Sequence, residues 1–322
     1  MENRIDTKRL LIYLGFAFGI AWLSALVIYL TGGLANSPVL VEPLGLTLAL
    51  VLMAGVYMWA PAAANVLTRL ITGEGWKNAG LRLNIKRGWP YWLAAWFLPP
   101  LLTSLGAAIY FVLFPAHFDA NLNTLREMLA STGQGAIDPW FVVISQVLLG
   151  ILASPLLNGF FTFGEEFGWR AYMLPKLMPL GSRKAMLVSG IIWGAWHWPV
   201  IFMGYEYGLE YPGAPVVGPL LFLYIATLFG VFLSWVTLRG GSVWPAVIGH
   251  AAINGFAAIG SLFTIGEPNP LLGPLPVGVI GSLGWAVVAV LLFNRRGALE
   301  PAKETAVSMG IAPEQQDELA AA

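Results

Sequence analysis

The sequence contains no cysteine, which excludes a disulfide framework, a thiolate metal site and a cysteine nucleophile. Charge is scarce as well. Asp, Glu, Lys and Arg make up 11% of 322 residues, against about a quarter in an ordinary soluble domain. The helical H-E-x-x-H zinc-protease motif is missing, as are G-x-S-x-G and any G-x-G-D-like aspartyl motif, which disfavours those hydrolase chemistries. No internal repeat is visible, which argues against an inverted-repeat transporter. Basic and acidic residues balance at 17 each, so net charge points to no partner.

Apolar residues fill the gap. They form 57% of the chain, with 14 Trp, 18 Phe and 37 Gly, and mean hydropathy is +0.72. A water-soluble globule of this length has too little interior for so much apolar surface. The bilayer must serve as solvent, which excludes a soluble enzyme, a nucleic-acid binder and a disordered chain. A spanning helix needs about 20 mostly apolar residues. Eight stretches qualify, at 10–30, 39–60, 91–114, 140–163, 186–204, 218–238, 243–264 and 277–294. The expected fold is all-α, a polytopic membrane helix bundle of about eight transmembrane helices. The first stretch follows Arg4, Lys8 and Arg9 like the start of a signal peptide. Its apolar run is too long and lacks a clear small-x-small cleavage site, so it reads as a retained helix.

Positive charge orients the bundle. With the N-terminus inside, the inner segments carry Arg4, Lys8, Arg9, Arg69, Lys77, Arg82, Lys86, Arg87, Arg170, Lys176, Arg183, Lys184, Arg239, Arg295, Arg296 and Lys303. The outer segments carry Arg126 alone, together with acids such as Glu42, Asp119, Asp138, Glu206 and Glu267. Both termini are therefore expected in the cytoplasm. Four parts follow: helices one to three with their loops over 1–139, a core over 140–265, a last helix over 266–296 and a mobile tail over 297–322.

An ionisable group inside a span costs at least ~2.5 kcal/mol and is a functional candidate by default. Few occur. The fourth span ends in Gly164-Glu165-Glu166-Phe167-Gly168-Trp169-Arg170, the fifth carries Trp193 and His197, and the seventh carries His250 and Asn254. Ser154, Asn158, Thr162 and Glu165 step by four, four and three residues, one polar stripe ending on a carboxylate. His250 and Asn254 share a helix face, and Glu166 and Arg170 are spaced for an ion pair that leaves Glu165 without a local counter-ion. At the helical rise, His197 lies roughly 16 Å and His250 roughly 11 Å from the inner ends of their spans.

A carboxylate sheltered from bulk water can take a proton from a water molecule near neutrality. A neighbouring imidazole can orient that water, and a second histidine with an asparagine can donate to an oxyanion. The alternative is that Glu165, His197 and His250 ligate zinc or a similar divalent metal, a reading less favoured than the metal-free one. Taken singly, the residues have plainer readings: Glu166 with Arg170 as a helix-end ion pair, Asn254 as interhelical glue, His197 and the tryptophans as packing, His117 as an outer-loop bystander. Two other function classes remain open, a proton-coupled transporter relaying through Glu165 and the histidines, and a non-catalytic membrane scaffold or immunity protein.

At these residues the sequence resembles the CAAX-protease and bacteriocin-processing family, the Abi or Ras-converting-enzyme-like intramembrane proteases. Its E-E-x-x-x-R motif matches Glu165, Glu166 and Arg170. Its aromatic-x-x-x-His motif matches Trp193 and His197, with Trp in place of the more usual Phe, and its H-x-x-x-N motif matches His250 and Asn254. The resemblance covers about 140–265. It implies an intramembrane endopeptidase with Glu165 as general base and His197 holding the water. His250 and Asn254 would stabilise the oxyanion, with Glu166 and Arg170 in support. It also implies a membrane-associated peptide or protein substrate, a prenylated chain end in some members, and no cofactor on the metal-free reading.

Overall fold

The computed structural model describes residues 5–302, 305–306 and 309–311. Helix α1 (Thr7–Leu30) is followed by a short hairpin of β1 (Val39–Val41) and β2 (Leu46–Thr47), then α2 (Leu48–Leu52), a π-helical turn (Met53–Tyr57) and α3 (Ala60–Thr72). Next come α4 (Ile85–Leu113) and a surface helix α5 (Asn123–Ser131). A long, bent helical path then runs through α6 (Pro139–Leu148), α7 (Ser154–Leu157), α8 (Gly159–Gly168) and α9 (Leu174–Leu177), loosened by π-helical turns at Leu149–Ala153 and Trp169–Met173. The remainder is α10 (Ser182–Trp196), α11 (Trp198–Phe202), α12 (Val217–Gly240), α13 (Trp244–Phe256) and α14 (Leu283–Asn294). The protein is a polytopic all-α membrane bundle. Among the described residues, six helical stretches are long and apolar enough to cross a bilayer: Thr7–Leu30, Leu48–Thr72, Ile85–Leu113, Pro139–Leu157, Val217–Gly240 and Trp244–Phe263.

The departures from the expected spans have local causes. The second begins at Leu48, not at 39. Pro43 and the left-handed Gly45 turn the chain into the hairpin, and the Thr47 hydroxyl accepts from Leu50 N–H to start the helix (3.1 Å). It continues to Thr72 because its polar residues are satisfied inside the protein. Asn65 donates to the Phe167 carbonyl (2.8 Å) and Arg69 Nε donates to Asn65 (2.7 Å). The fifth expected span is interrupted at His197, just before Trp198-Pro199, where a proline favours a helix start over a helix interior.

The last expected span is helical only from Leu283. Pro268, Pro270, Pro274 and Pro276, with Gly273, Gly278 and Gly281, keep residues 264–282 irregular. Irregular backbone at membrane depth is tolerated where protein buries it, and Leu271, Pro276, Val277 and Gly281 are buried. The segment closes on itself through Val279 N–H to Leu271 O (2.9 Å) and Ile280 N–H to Leu272 O (2.8 Å). It lies so close to α4 that a Cβ on Gly106 would sit 1.8 Å from the Gly281 carbonyl oxygen.

The basic loops meet at one end of the bundle. Glu74, after α3, accepts from Lys176 Nζ (2.6 Å) and Tyr172 OH (3.0 Å) and lies 3.6 Å from Arg9 Nε. Residues 303–304, 307–308 and 312–322 of the expected mobile tail lie outside the described residues. Its described part is docked at the same end, with Leu299, Ala306, Met309 and Ile311 buried. Apolar side chains among the small polar ones supply that anchor.

A candidate active site between α8, α10 and α13

The polar stripe on α7 and α8 is a seam rather than a water path. Ser154 Oγ and Thr162 Oγ1 donate to the α13 carbonyls of Ala251 (3.4 Å) and Val247 (2.9 Å), and Asn158 donates to Ser154 (2.6 Å). These bonds fix the register of α8 against α13. Glu165 and Glu166 thereby reach the level of His250.

Glu166 does more than pair with Arg170 at a helix end. Its Oε1 accepts from Arg170 Nη1 (3.0 Å) and from His250 Nδ1 (2.8 Å), and all three side chains are buried. A carboxylate facing Nδ1 leaves Nε2 of His250 directed elsewhere. Glu166 thus both balances Arg170 and fixes the imidazole of the next helix.

Glu165 is 3% exposed. Its Oε2 accepts from the indole N–H of Trp193 (2.7 Å). The Arg170 guanidinium lies 4.3 Å from the centre of the Trp193 ring, within cation–π range. Trp193 ties the first glutamate to the Glu166–Arg170 pair behind it.

His197 occupies the break between α10 and α11. Its Nδ1 lies 2.8 Å from the Trp193 carbonyl oxygen, and a carbonyl only accepts, so Nδ1 carries the hydrogen. The neutral ring then presents the lone pair of Nε2. The break also frees the Trp196 carbonyl, which is satisfied by Trp22 Nε1 (3.1 Å) and by the Tyr57 hydroxyl.

Glu165, His197, His250 and Asn254 line one cavity of about 100 Å³. That is room for a few water molecules at ~30 Å³ each. Asn254 is exposed on its outer side. It and Met58 also border a second, apolar groove of about 480 Å³ between α2 and α7–α8, walled by Leu46, Leu50, Ala54 and Phe161. The polar cavity and the groove therefore adjoin at Met58 and Asn254. His117 stays apart, bonded to Tyr110 OH (2.7 Å) near the opposite end of α4.

Sequence reasoning placed the site within 140–265 and missed part of its wall. Met53, Tyr57 and Met58 enter from the bulged second span, Pro276 and Val277 from the irregular segment, and Tyr205 and Glu206 from the loop after α11. The loop signal was Gly204-Tyr205-Glu206-Tyr207-Gly208, where Glu206 counted only as an outer acid. Among the described residues, no three His, Cys, Asp or Glu side chains are gathered to hold a metal ion. Glu165, His197 and His250 share the cavity but do not form such a group.

Fold and site together define a polytopic helical membrane protein with a buried carboxylate–imidazole centre beside an apolar groove. Residues 139–256, which contain every one of the motif residues, match the family described as type II CAAX prenyl endopeptidase Rce1-like. A CAAX prenyl protease 2 from Methanococcus maripaludis is 34% identical over 92 residues, covering 28% of this chain and 34% of that protein. Over this segment the chain is similar to the CAAX protease family. The chain spans about a third of the length of the curated relative it matches.

Proposed function

We propose that this protein is an intramembrane endopeptidase that hydrolyses a peptide bond with a water activated by Glu165. The observation that carries the reading is the shared cavity of Glu165, His197, His250 and Asn254, with both imidazoles tied through Nδ1 and their Nε2 atoms left for the reaction. A water held by His197 Nε2 loses its proton to Glu165 as its oxygen attacks the carbonyl carbon. The resulting oxyanion accepts from the Asn254 amide and from Nε2–H of His250 in its protonated form, whose Nδ1–H donates to Glu166. Collapse breaks the C–N bond, and the proton on Glu165 passes to the leaving amine. No step runs through a metal.

The groove beside Asn254 supports a membrane-embedded substrate, because an apolar chain end can lie there while the adjoining peptide reaches Glu165. A prenylated, CAAX-type chain end is the substrate that the family points to. The test uses purified protein in liposomes with a farnesylated CAAX reporter peptide. Release of the C-terminal tripeptide by wild type and its loss in Glu165→Gln supports the reading. Equal release by both contradicts it.

A further inference from the structure

The mechanism leaves one acid in the cavity unused. Glu206 lines the same space as Glu165 but comes from the loop between α11 and α12. Three observations set it apart. Its backbone is left-handed, at φ 69°, a conformation that non-glycine residues adopt at a cost and that is found where surrounding structure fixes a side chain for use. The loop is fixed: the buried Tyr207 donates its hydroxyl to the Val277 carbonyl (2.9 Å), and Gly208 N–H donates to the Gly204 carbonyl (3.0 Å). Among the described residues, no ion pair or hydrogen bond reaches the Glu206 carboxylate.

Glu206 is half-buried, so its carboxylate, without a partner inside the protein, can be reached by a charge from outside. Burial pushes its carboxyl up to about 7, with no counter-charge to offset the effect. Aromatic side chains line the same cavity, Tyr57, Tyr205 and Phe222 among them. Aromatic faces beside a carboxylate attract a cation and offer little to an anion. Tyr205 is 39% exposed, so this part of the cavity lies close to the surface. Among the described residues no lysine or arginine lines the cavity, and Arg170 stays behind Trp193.

We propose that Glu206 and its aromatic neighbours form a subsite for a cationic side chain of the peptide substrate, a lysine or arginine held at a fixed distance from the bond that Glu165 attacks. This rests on the endopeptidase reading and adds a charge requirement to it. A carboxylate supplied by the loop after α11, not by the motif helices, would let the hydrolytic centre stay constant while the loop selects the substrate.

The test measures binding and cleavage separately. Palmitoylated peptides with one lysine walked along the sequence are compared with the same peptides carrying norleucine, which has a similar side-chain length and no charge. Fluorescence anisotropy reads binding to the full-length protein in detergent, as wild type, Glu206→Gln and Glu165→Gln. At one lysine position, wild type and Glu165→Gln should bind the lysine peptide about tenfold more tightly than its norleucine partner. In Glu206→Gln the ratio should fall to about one. No charge preference at any position in wild type overturns the proposal, and so does a preference that survives in Glu206→Gln. A Glu206-dependent preference without cleavage of any peptide supports the subsite and contradicts the endopeptidase reading instead.

Discussion

Trp193 donates its indole N–H to the Glu165 carboxylate at 2.7 Å, linking α10 to α8 at the heart of the cavity. Phenylalanine, the more usual residue of the resembling motif, has no such donor. Here the carboxylate is aimed by a neighbour whose own carbonyl also holds His197 Nδ1. One residue thus orients both the base and the imidazole expected to hold the water.

Trp193→Phe keeps an aromatic ring and the backbone contact to His197, and removes the N–H donor together with the five-membered ring of the indole. A hydrogen bond to a charged group contributes about 1.5–3 kcal/mol. If most of it acts on the orientation of Glu165, turnover of the reporter peptide falls roughly tenfold to a hundredfold while KM changes little. Turnover equal to wild type would mean that this bond has no part in the reaction.

Glu166 and Arg170 separate stability from chemistry. Breaking a buried pair by removing one partner costs about 3–5 kcal/mol, whereas replacing both with apolar groups is often tolerated. Arg170→Met alone should lower the unfolding midpoint in detergent sharply, and Glu166→Leu combined with Arg170→Met should recover most of it. Activity should not return with stability, because the double variant still lacks the carboxylate at His250 Nδ1. Recovery of both together would reduce Glu166 to the helix-end ion pair of the plainer reading.

Acid sensitivity should arise at the basic end, at Glu74. Burial pushes this carboxyl up, but Lys176, Tyr172 and Arg69 together outweigh it and hold it below the ordinary range. A group depressed in the folded state stabilises above its unfolded pKa, and that contribution is lost as pH falls through the lower folded value. Stability measured from pH 7 downward should therefore decline at or below the usual carboxylate range, and Glu74→Gln should flatten the decline. An unchanged acid slope in the variant would assign the effect elsewhere.

The fold class was legible because apolar length and scarce charge admit few alternatives. The motif residues were legible because an ionisable side chain within an apolar run is rare enough to stand out. Glu165, His197, His250 and Asn254 do line one cavity. What the chain hid was irregular backbone. Residues 264–282 are apolar enough to resemble the start of a span, yet their prolines and glycines make them a buried, non-helical wall. The hairpin at 39–47 extends an apolar run in the same deceptive way. Glu206 was hidden for another reason: a loop acid counts toward topology by its position in sequence, whereas its direction depends on a single left-handed residue. The role of Glu166 was half visible, since spacing along one helix gives Arg170 but not the partner across the interface.

The most direct measurement compares new peptide termini in membranes of cells expressing wild type or Glu165→Ala at matched levels, a test that needs no assumed substrate. The account predicts C- and N-terminal fragments of a membrane-associated protein that arise with wild type and vanish with the variant. Identical termini from two folded, equally abundant proteins would contradict hydrolysis by Glu165 and return weight to a proton relay or a scaffold.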